Sequence, residues 1–409
     1  MRIPQTHGQA THQCSGPCVT ARVDIPCFPV PCSALPLPAP LLHTCFMRQA
    51  LFSAIALAVC TAAHAQWTMQ NSHTTADLRG IHSVGGGVAW ASGTNGTVLR
   101  TEDGGYLWQV CAIPPDAEKL DFRGIQAFDA NTAIVMSSGK GDLSRLYKTT
   151  DGCHSWKLIF TNPDADGFWD AIQMWTPTDG FLAGDPVKQT LYFAESTSYR
   201  NNFLDRGEDP KWRAKPGEEA FAASNSSLAL GPFRQKNGEP REVWFATGGS
   251  SGPRILHYKH FNGGEPERES LAVAEVAGFP NLDSSGIFSV SFRNGAVGVA
   301  VGGDYKQPDT AGNNAAYTLD GEHWKLPITS PHGYRSAVAY DAQTKTWITV
   351  GPNGTDISTD DGRNWRPLHP DPNFRQTADA DKNWNALSLP FVVGPHGRIG
   401  KLNEHALKR

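Results

Sequence analysis

Four segments of the chain repeat one short pattern, and internal periodicity restricts the fold more tightly than any single motif. Thr101-Glu102-Asp103-Gly104-Gly105-Tyr106-Leu107-Trp108 and Ser358-Thr359-Asp360-Asp361-Gly362-Arg363-Asn364-Trp365 carry the full form S/T-x-D-x-G-x-x-W. Thr149 to Trp156 holds Cys153 where the second glycine is expected, and Thr318 to Trp324 is one residue shorter. Lys211-Trp212, after Asp209-Pro210, reads as a worn fifth copy.

Each part of the pattern has a physical task. An aspartate can accept hydrogen bonds from its own turn. Glycine supplies the positive φ of a tight hairpin. Tryptophan opens the next strand and buries a large ring. The assignment is therefore structural for Asp103, Trp108, Asp151, Trp156, Asp320, Trp324, Asp360 and Trp365. A second repeated element lies between these turns: Phe122 to Ala130 matches Tyr334 to Ala342, and Asp164 to Ile172 matches Asp379 to Leu387. Openings of this kind fall near Arg79, Arg123, Trp169, Phe221, Phe288, Arg335 and Trp384. Seven openings over residues 66–409 give about 49 residues per repeat, the size of a four-stranded propeller blade. The spacing predicts an all-β, seven-bladed propeller over 66–409. Gln66-Trp67 resembles the strand that comes after a repeat turn, and the last repeat stops before a turn of its own. The first strand is therefore predicted to complete the last blade, which removes exposed sheet edges.

Residues before this region differ in composition. Six of the eight cysteines lie at or before Cys60, while all twelve tryptophans come after residue 66. From Met47 a basic residue (Arg48), an apolar stretch and Ala63-His64-Ala65 form the three regions of a secretory leader. Residues 47–65 are assigned to this signal peptide, with cleavage after Ala65. Acylation at Cys60 is the less favoured alternative, because bulky Val59 precedes it. Residues 1–46 are expected to be a gene-start error or a disordered extension, with Met47 the true start; their cysteines contain no zinc spacing. An exported protein meets an oxidising compartment. There Cys111 and Cys153, in neighbouring repeats, either pair or remain two buried thiols.

The string G-x-x-G-x-[VI]-x-[ST]-x-D-x-G-x-x-W, which Gly93 to Trp108 and Gly351 to Trp365 each follow in most positions, resembles BNR/Asp-box propellers of the sialidase-like superfamily architecture. It is most similar to the photosystem II stability/assembly factor-like family. The likeness is good over residues 78–156 and 334–402 and poor over about 168–280. The resemblance implies a non-enzymatic scaffold with a protein or peptide partner, of a kind that can be membrane-associated, and no cofactor. It also implies arginines on one face near the axis. On that basis Arg79, Arg123, Trp169, Arg335 and Trp384 are the expected partner-binding residues, since guanidinium pairs with carboxylates. The competing assignment is that each arginine caps its own blade, for example against Asp121.

Other chemistry finds less support. With 36 basic and 40 acidic residues, the chain lacks the basic excess of a nucleic-acid binder. A sialidase-like glycoside hydrolase is the alternative function, but the chain has no F/Y-R-I-P start, only Pro253-Arg254-Ile255-Leu256. No catalytic residue is assigned. Asn162-x-Asp164-x-Asp166-Gly167 begins like a calcium loop yet has Gln173 at the twelfth position. His257 and His260 would point to opposite faces of a strand, so no metal site is assigned. Gly85-Gly86-Gly87 is a turn, not a nucleotide loop. A monomer is expected.

Overall fold

Strand pairing in the computed structural model tracks the repeats. The structure describes residues 66–409 except 198–202, 206–209, 233–239, 262–267, 371–376, 404–405 and 408–409. The leader expected at 47–65, the segment 1–46 and Cys60 lie outside the described residues. Seven antiparallel sheets succeed one another around the ring. Blade one comprises Leu78–Gly85, Val88–Gly93, Val98–Thr101 and Gln109–Val110; blade two comprises Phe122–Ala127, Ala133–Ser137, Arg145–Thr149 and Lys157–Thr161. Blades three, four, five and six begin at Trp169, Leu228, Ser285 and Ala337. Blade seven joins Ala386–Ser388, Phe391–Val393 and Ile399–Leu402 to the first strand, Trp67–Gln70. Trp67 pairs with Leu402 and Gln70 with Ile399, so both ends of the chain share one sheet, as predicted.

Blade five departs from the four-strand expectation. Two short strands, Glu218–Glu219 and Gly248–Gly249, extend its inner edge, giving six strands. The added pair is possible because Gly248 faces Gly286 without side chains. A Cβ on either would lie 2.5 Å from the other backbone and against the ring of Phe221.

The repeat turns have the expected geometry. The Asp103 carboxylate accepts from Thr101 Oγ1 at 2.9 Å and from the Leu107 N–H at 3.1 Å. Asp151, Asp320 and Asp360 make the corresponding bonds. These bonds hold the carboxyls below the usual range; Asp151, led by the Ser155 hydroxyl, titrates at about 2. Their tryptophans pack between blades: Trp156 meets Trp90 edge-on at 6.4 Å, and Trp108 meets Phe391 of blade seven at 5.5 Å. Trp212, of the worn copy, stacks on Phe193 at 4.1 Å.

Cys111 and Cys153 form a disulfide that staples blade one to blade two, deciding between the two alternatives left by the sequence. Cys153 has φ +66°, the conformation that the repeat assigns to glycine.

The axis is not empty. The segment Ala220 to Ser227, which enters blade four, runs along it. Asn225 Oδ1 accepts from the Ile172 N–H at 2.8 Å, while its amide donates to Ile125 O at 3.3 Å. Ser224 donates to Ser336 O at 2.8 Å, and Ser226 Oγ meets Ser289 Oγ at 2.7 Å. This run of small and polar residues thus ties blades two, three, five and six together at the centre. It splits the axial space into two cavities: Ala220 to Ala223 line one, of about 470 Å³, and Ser224 to Ser226 line the other, of about 490 Å³.

Candidate functional site: one mouth of the ring

The first of these cavities is built from one recurrent irregularity. In blades one, two, three and five the pairing of the innermost strand skips a residue near its start. The skipped residues are Arg79, Arg123, Asp170 and Phe288, and all four line the cavity. A β-bulge leaves one residue outside the ladder and re-aims its side chain. Ser336 and Asn385, each just before the first strand of its blade, complete the series in blades six and seven.

The register explains where the other expected residues went. In five blades a glycine in or just after the second strand lies against the carbonyl two residues before this position: Gly93 on Asp77, Gly184 on Phe168, Gly302 on Gly286, Gly351 on Tyr334 and Gly394 on Asn383. The residues directly after those carbonyls are Leu78, Trp169, Ile287, Arg335 and Trp384, and each is at most 1% exposed. Trp169, Arg335 and Trp384 are therefore equivalent to Leu78, one step short of Arg79. A one-residue shift in an extended chain moves a side chain to the other face. Trp169 stacks on Phe160 at 5.3 Å, and Trp384 packs against Trp67 at 6.0 Å while also lining the cavity. Arg335 turns into blade six. Its Nε donates to Asp356 Oδ2 at 2.8 Å, Nη1 donates to Tyr334 O at 2.8 Å, and Nη2 also reaches Asp356. His332 Nδ1 lies 2.7 Å from Asp356 Oδ1. Burial pushes the Asp356 carboxyl up, but the bonds from His332 and the charge of Arg335 outweigh it and hold it below the usual range.

Arg79 and Arg123 do face the mouth, with side chains 31% and 30% exposed. They flank one carboxylate. Arg123 Nε donates to Asp121 Oδ2 at 2.8 Å, and Arg79 Nε lies 3.9 Å from Oδ1. Arg123 Nη1 also reaches Ala222 O of the axial segment at 3.3 Å. Two guanidiniums against one carboxylate leave this side of the mouth cationic.

Asp170, Asp185 and Glu219 line the same cavity, and sequence reasoning assigned none of them. Glu219 is placed by its neighbour: Glu218 is buried and accepts from Arg254 Nε at 2.7 Å and Nη2 at 2.5 Å. Burial raises all three carboxyls. Burial pushes Asp170 well above the usual carboxylate range, helped by the charge of Asp185 and opposed by Arg123; burial pushes Asp185 up to about 6. Glu219 is raised by burial and by Asp283, with Lys306 opposing. Phe221, Phe288 and Tyr334 form the adjoining wall; the two phenyl rings stack at 4.0 Å, and Tyr334 meets Phe288 edge-on at 4.9 Å.

A carboxyl raised in the folded state is penalised once it ionises. Asp185 titrates near 6 when folded and near 4 when unfolded, so its penalty appears between those pH values and is full above them. Asp185→Asn keeps an oxygen for the Ala220 N–H. The variant is expected to match the parent protein near pH 4 and to exceed it by about 1–2 kcal/mol at pH 8. Urea denaturation at the two pH values measures this; equal midpoints at both would contradict it.

The remaining sequence candidates lie elsewhere. Asp166 pairs with Lys140 at 2.8 Å in a linker turn. His257 packs on Trp244 and His260 lies beside Glu195, so the two rings have different surroundings. Among the described residues no group of three or more His, Cys, Asp or Glu side chains is placed to hold a metal ion, and no helix is long and apolar enough to cross a membrane.

No protein-family model matches the chain, and no curated protein matches its sequence. Solved structures do. YCF48 bound to a D1 peptide superposes with a TM-score of 0.53 at 15% identity, over 83% of this chain and 98% of that one. YCF48 from Cyanidioschyzon merolae gives 0.54 at 17% identity, over 83% and 100%. The WD40 propeller domain of Doa1 gives 0.50 at 9% identity, over 84% and 98%. At these identities the likeness is one of fold: the chain is a seven-bladed β-propeller of antiparallel sheets.

Proposed function

We propose that this chain is an exported, non-enzymatic binding or assembly scaffold of the photosystem II assembly factor-like BNR/Asp-box type, which captures a protein or peptide partner at the arginine-bearing mouth. The observation that carries the reading is the pair Arg79 and Arg123, set on equivalent bulges and half-turned to solvent around a single carboxylate. Paired guanidiniums recognise carboxylates by parallel hydrogen bonds. The similarity to YCF48 bound to a D1 peptide supports a peptide ligand. The Cys111–Cys153 disulfide and the leader at 47–65 support a periplasmic or extracellular location. The scaffold acts as a monomer, and its partner is a protein or peptide of a kind that can be membrane-associated.

The test uses a fluorescein-labelled peptide rich in Glu and Asp with a free C-terminus. Arg79→Ala/Arg123→Ala is expected to weaken its binding roughly tenfold or more, with an unchanged melting temperature. Equal affinity for the two proteins would refute the arginine mouth.

A sialidase-like hydrolase is the second reading, because carboxylates and aromatic rings do share the mouth. The remaining machinery argues against it. Burial pushes the Tyr334 hydroxyl up, the reverse of an activated nucleophile. The third arginine in sequence register, Arg335, is spent on Asp356.

A further inference from the structure

The arginines occupy only part of the mouth. We propose that the part next to Arg123, where Asp170, Asp185 and Glu219 adjoin the Phe221–Phe288–Tyr334 wall, is a subsite for a basic side chain of the partner, an alkylammonium or guanidinium group. The proposal rests on reading the mouth as a peptide site, and adds the chemistry of the second contact.

Three observations carry it. The first is charge. Three carboxylates share the cavity, and the cations that act on them are Arg123 and Lys306. Arg123 turns its Nε to Asp121 and its Nη1 to Ala222 O, away from these acids' hydrogen-bonding reach, and Lys306 lies over the Tyr305 ring at 5.9 Å. The second is an orphan acceptor. Asp170 is 1% exposed, and its buried Oδ2 has no hydrogen-bond partner. Native proteins rarely leave such an atom unmatched. The missing complement is a donor, and ammonium and guanidinium are donors only. The third is the wall. Aromatic rings attract organic cations through their faces, and exposed Tyr305 extends the wall at the rim, 6.1 Å from Phe288.

A bound metal ion does not fit, because these carboxylates are not grouped for coordination. A broad organic cation needs no such convergence. The raised carboxyls agree with this assignment: burial, and to a smaller extent their mutual charge, disfavours the ionised form, and an arriving cation offsets that cost. The bulge at Asp170 is the device that sets the polarity. Blade three places an acid where blades one and two place Arg79 and Arg123. The ring therefore presents opposite charges at equivalent positions, and suits a partner segment that carries both an acidic and a basic group.

Calorimetric titration of the full chain at about pH 7.5 with N-acetyl-arginine methylamide and N-acetyl-lysine methylamide tests the proposal; N-acetyl-norleucine methylamide is the uncharged control. Binding of at least one basic probe and none of the control is expected. Asp185→Asn/Glu219→Gln should weaken the basic probe roughly tenfold or more, while Arg79→Ala/Arg123→Ala should leave it bound at least as tightly, because the Arg123 charge that acts on Asp170 is gone. A melting curve confirms that both variants fold. Equal binding of the norleucine probe, full binding by the carboxylate variant, or no binding of either basic probe would overturn the subsite. The acidic peptide separates the two readings. If it binds through Arg79 and Arg123 while the basic probes fail, only the subsite falls. If the basic probes bind and the acidic peptide does not, the subsite stands and the arginine reading falls.

Discussion

Arg335→Ala is expected to cost about 3–5 kcal/mol of folding stability and to leave capture of an acidic peptide nearly unchanged in the fraction that remains folded. The guanidinium is wholly enclosed, and Asp356 is 1% exposed. Removing the arginine leaves a buried carboxylate whose remaining side-chain partner is His332. Losing one member of such a pair is far worse than losing both, because the survivor keeps its desolvation cost. Arg335→Met with Asp356→Leu should therefore recover much of the loss. Guanidinium denaturation of the two single variants and the double variant measures the difference. An Arg335→Ala protein with parental stability and abolished peptide binding would show that the side chain serves the mouth after all.

Removal of the Cys111–Cys153 link is expected to have an effect of similar size. The bond closes a loop with a sequence separation of 42. The loss of chain entropy in the unfolded state for that length corresponds to roughly 4 kcal/mol. The residue chosen for position 153 matters. Its φ of +66° strains any side chain, by about 1 kcal/mol or more. Cys111→Ala/Cys153→Gly should thus be more stable than Cys111→Ala/Cys153→Ala by about that amount, restoring the residue that the repeat pattern asks for. Thermal melting of both, beside the parent with and without reductant, gives the comparison. A parent protein unaffected by complete reduction would refute the stabilising role.

The architecture was legible because each blade repeats the same turn chemistry. Asp103, Asp151, Asp320 and Asp360 announce hairpins, and the spacing between them gives the blade number. The inward-facing residues were harder to read. Phe122-Arg123-Gly124 and Tyr334-Arg335-Ser336 look alike, and pairing arginine with arginine is the natural alignment. The structure aligns Phe122 and Leu78 with Arg335 instead, so that Ser336, not Arg335, stands where Arg79 and Arg123 stand in the early blades. The same slip hid Asp170 behind Trp169. Aligning the large apolar residues Leu78, Phe122, Trp169 and Trp384, rather than the polar ones, would have brought Arg79, Arg123, Asp170 and Asn385 into one column. Asp185 and Glu219 had no such signal. Asp185 sits at an irregularity of the second strand, and Glu219 belongs to a two-residue strand added to another blade's sheet, outside any repeat.

The segment from Ala220 to Ser227 decides what kind of object the protein can hold. A hollow ring could be threaded, and would then grip an extended polymer anywhere along its length. Here the bore is stoppered halfway by hydrogen-bonded backbone and small side chains, so each face is a blind cup. A partner can enter such a cup only by a chain end or the tip of a tight bend, and its grip is set by the groups on that tip rather than by the length of chain behind it.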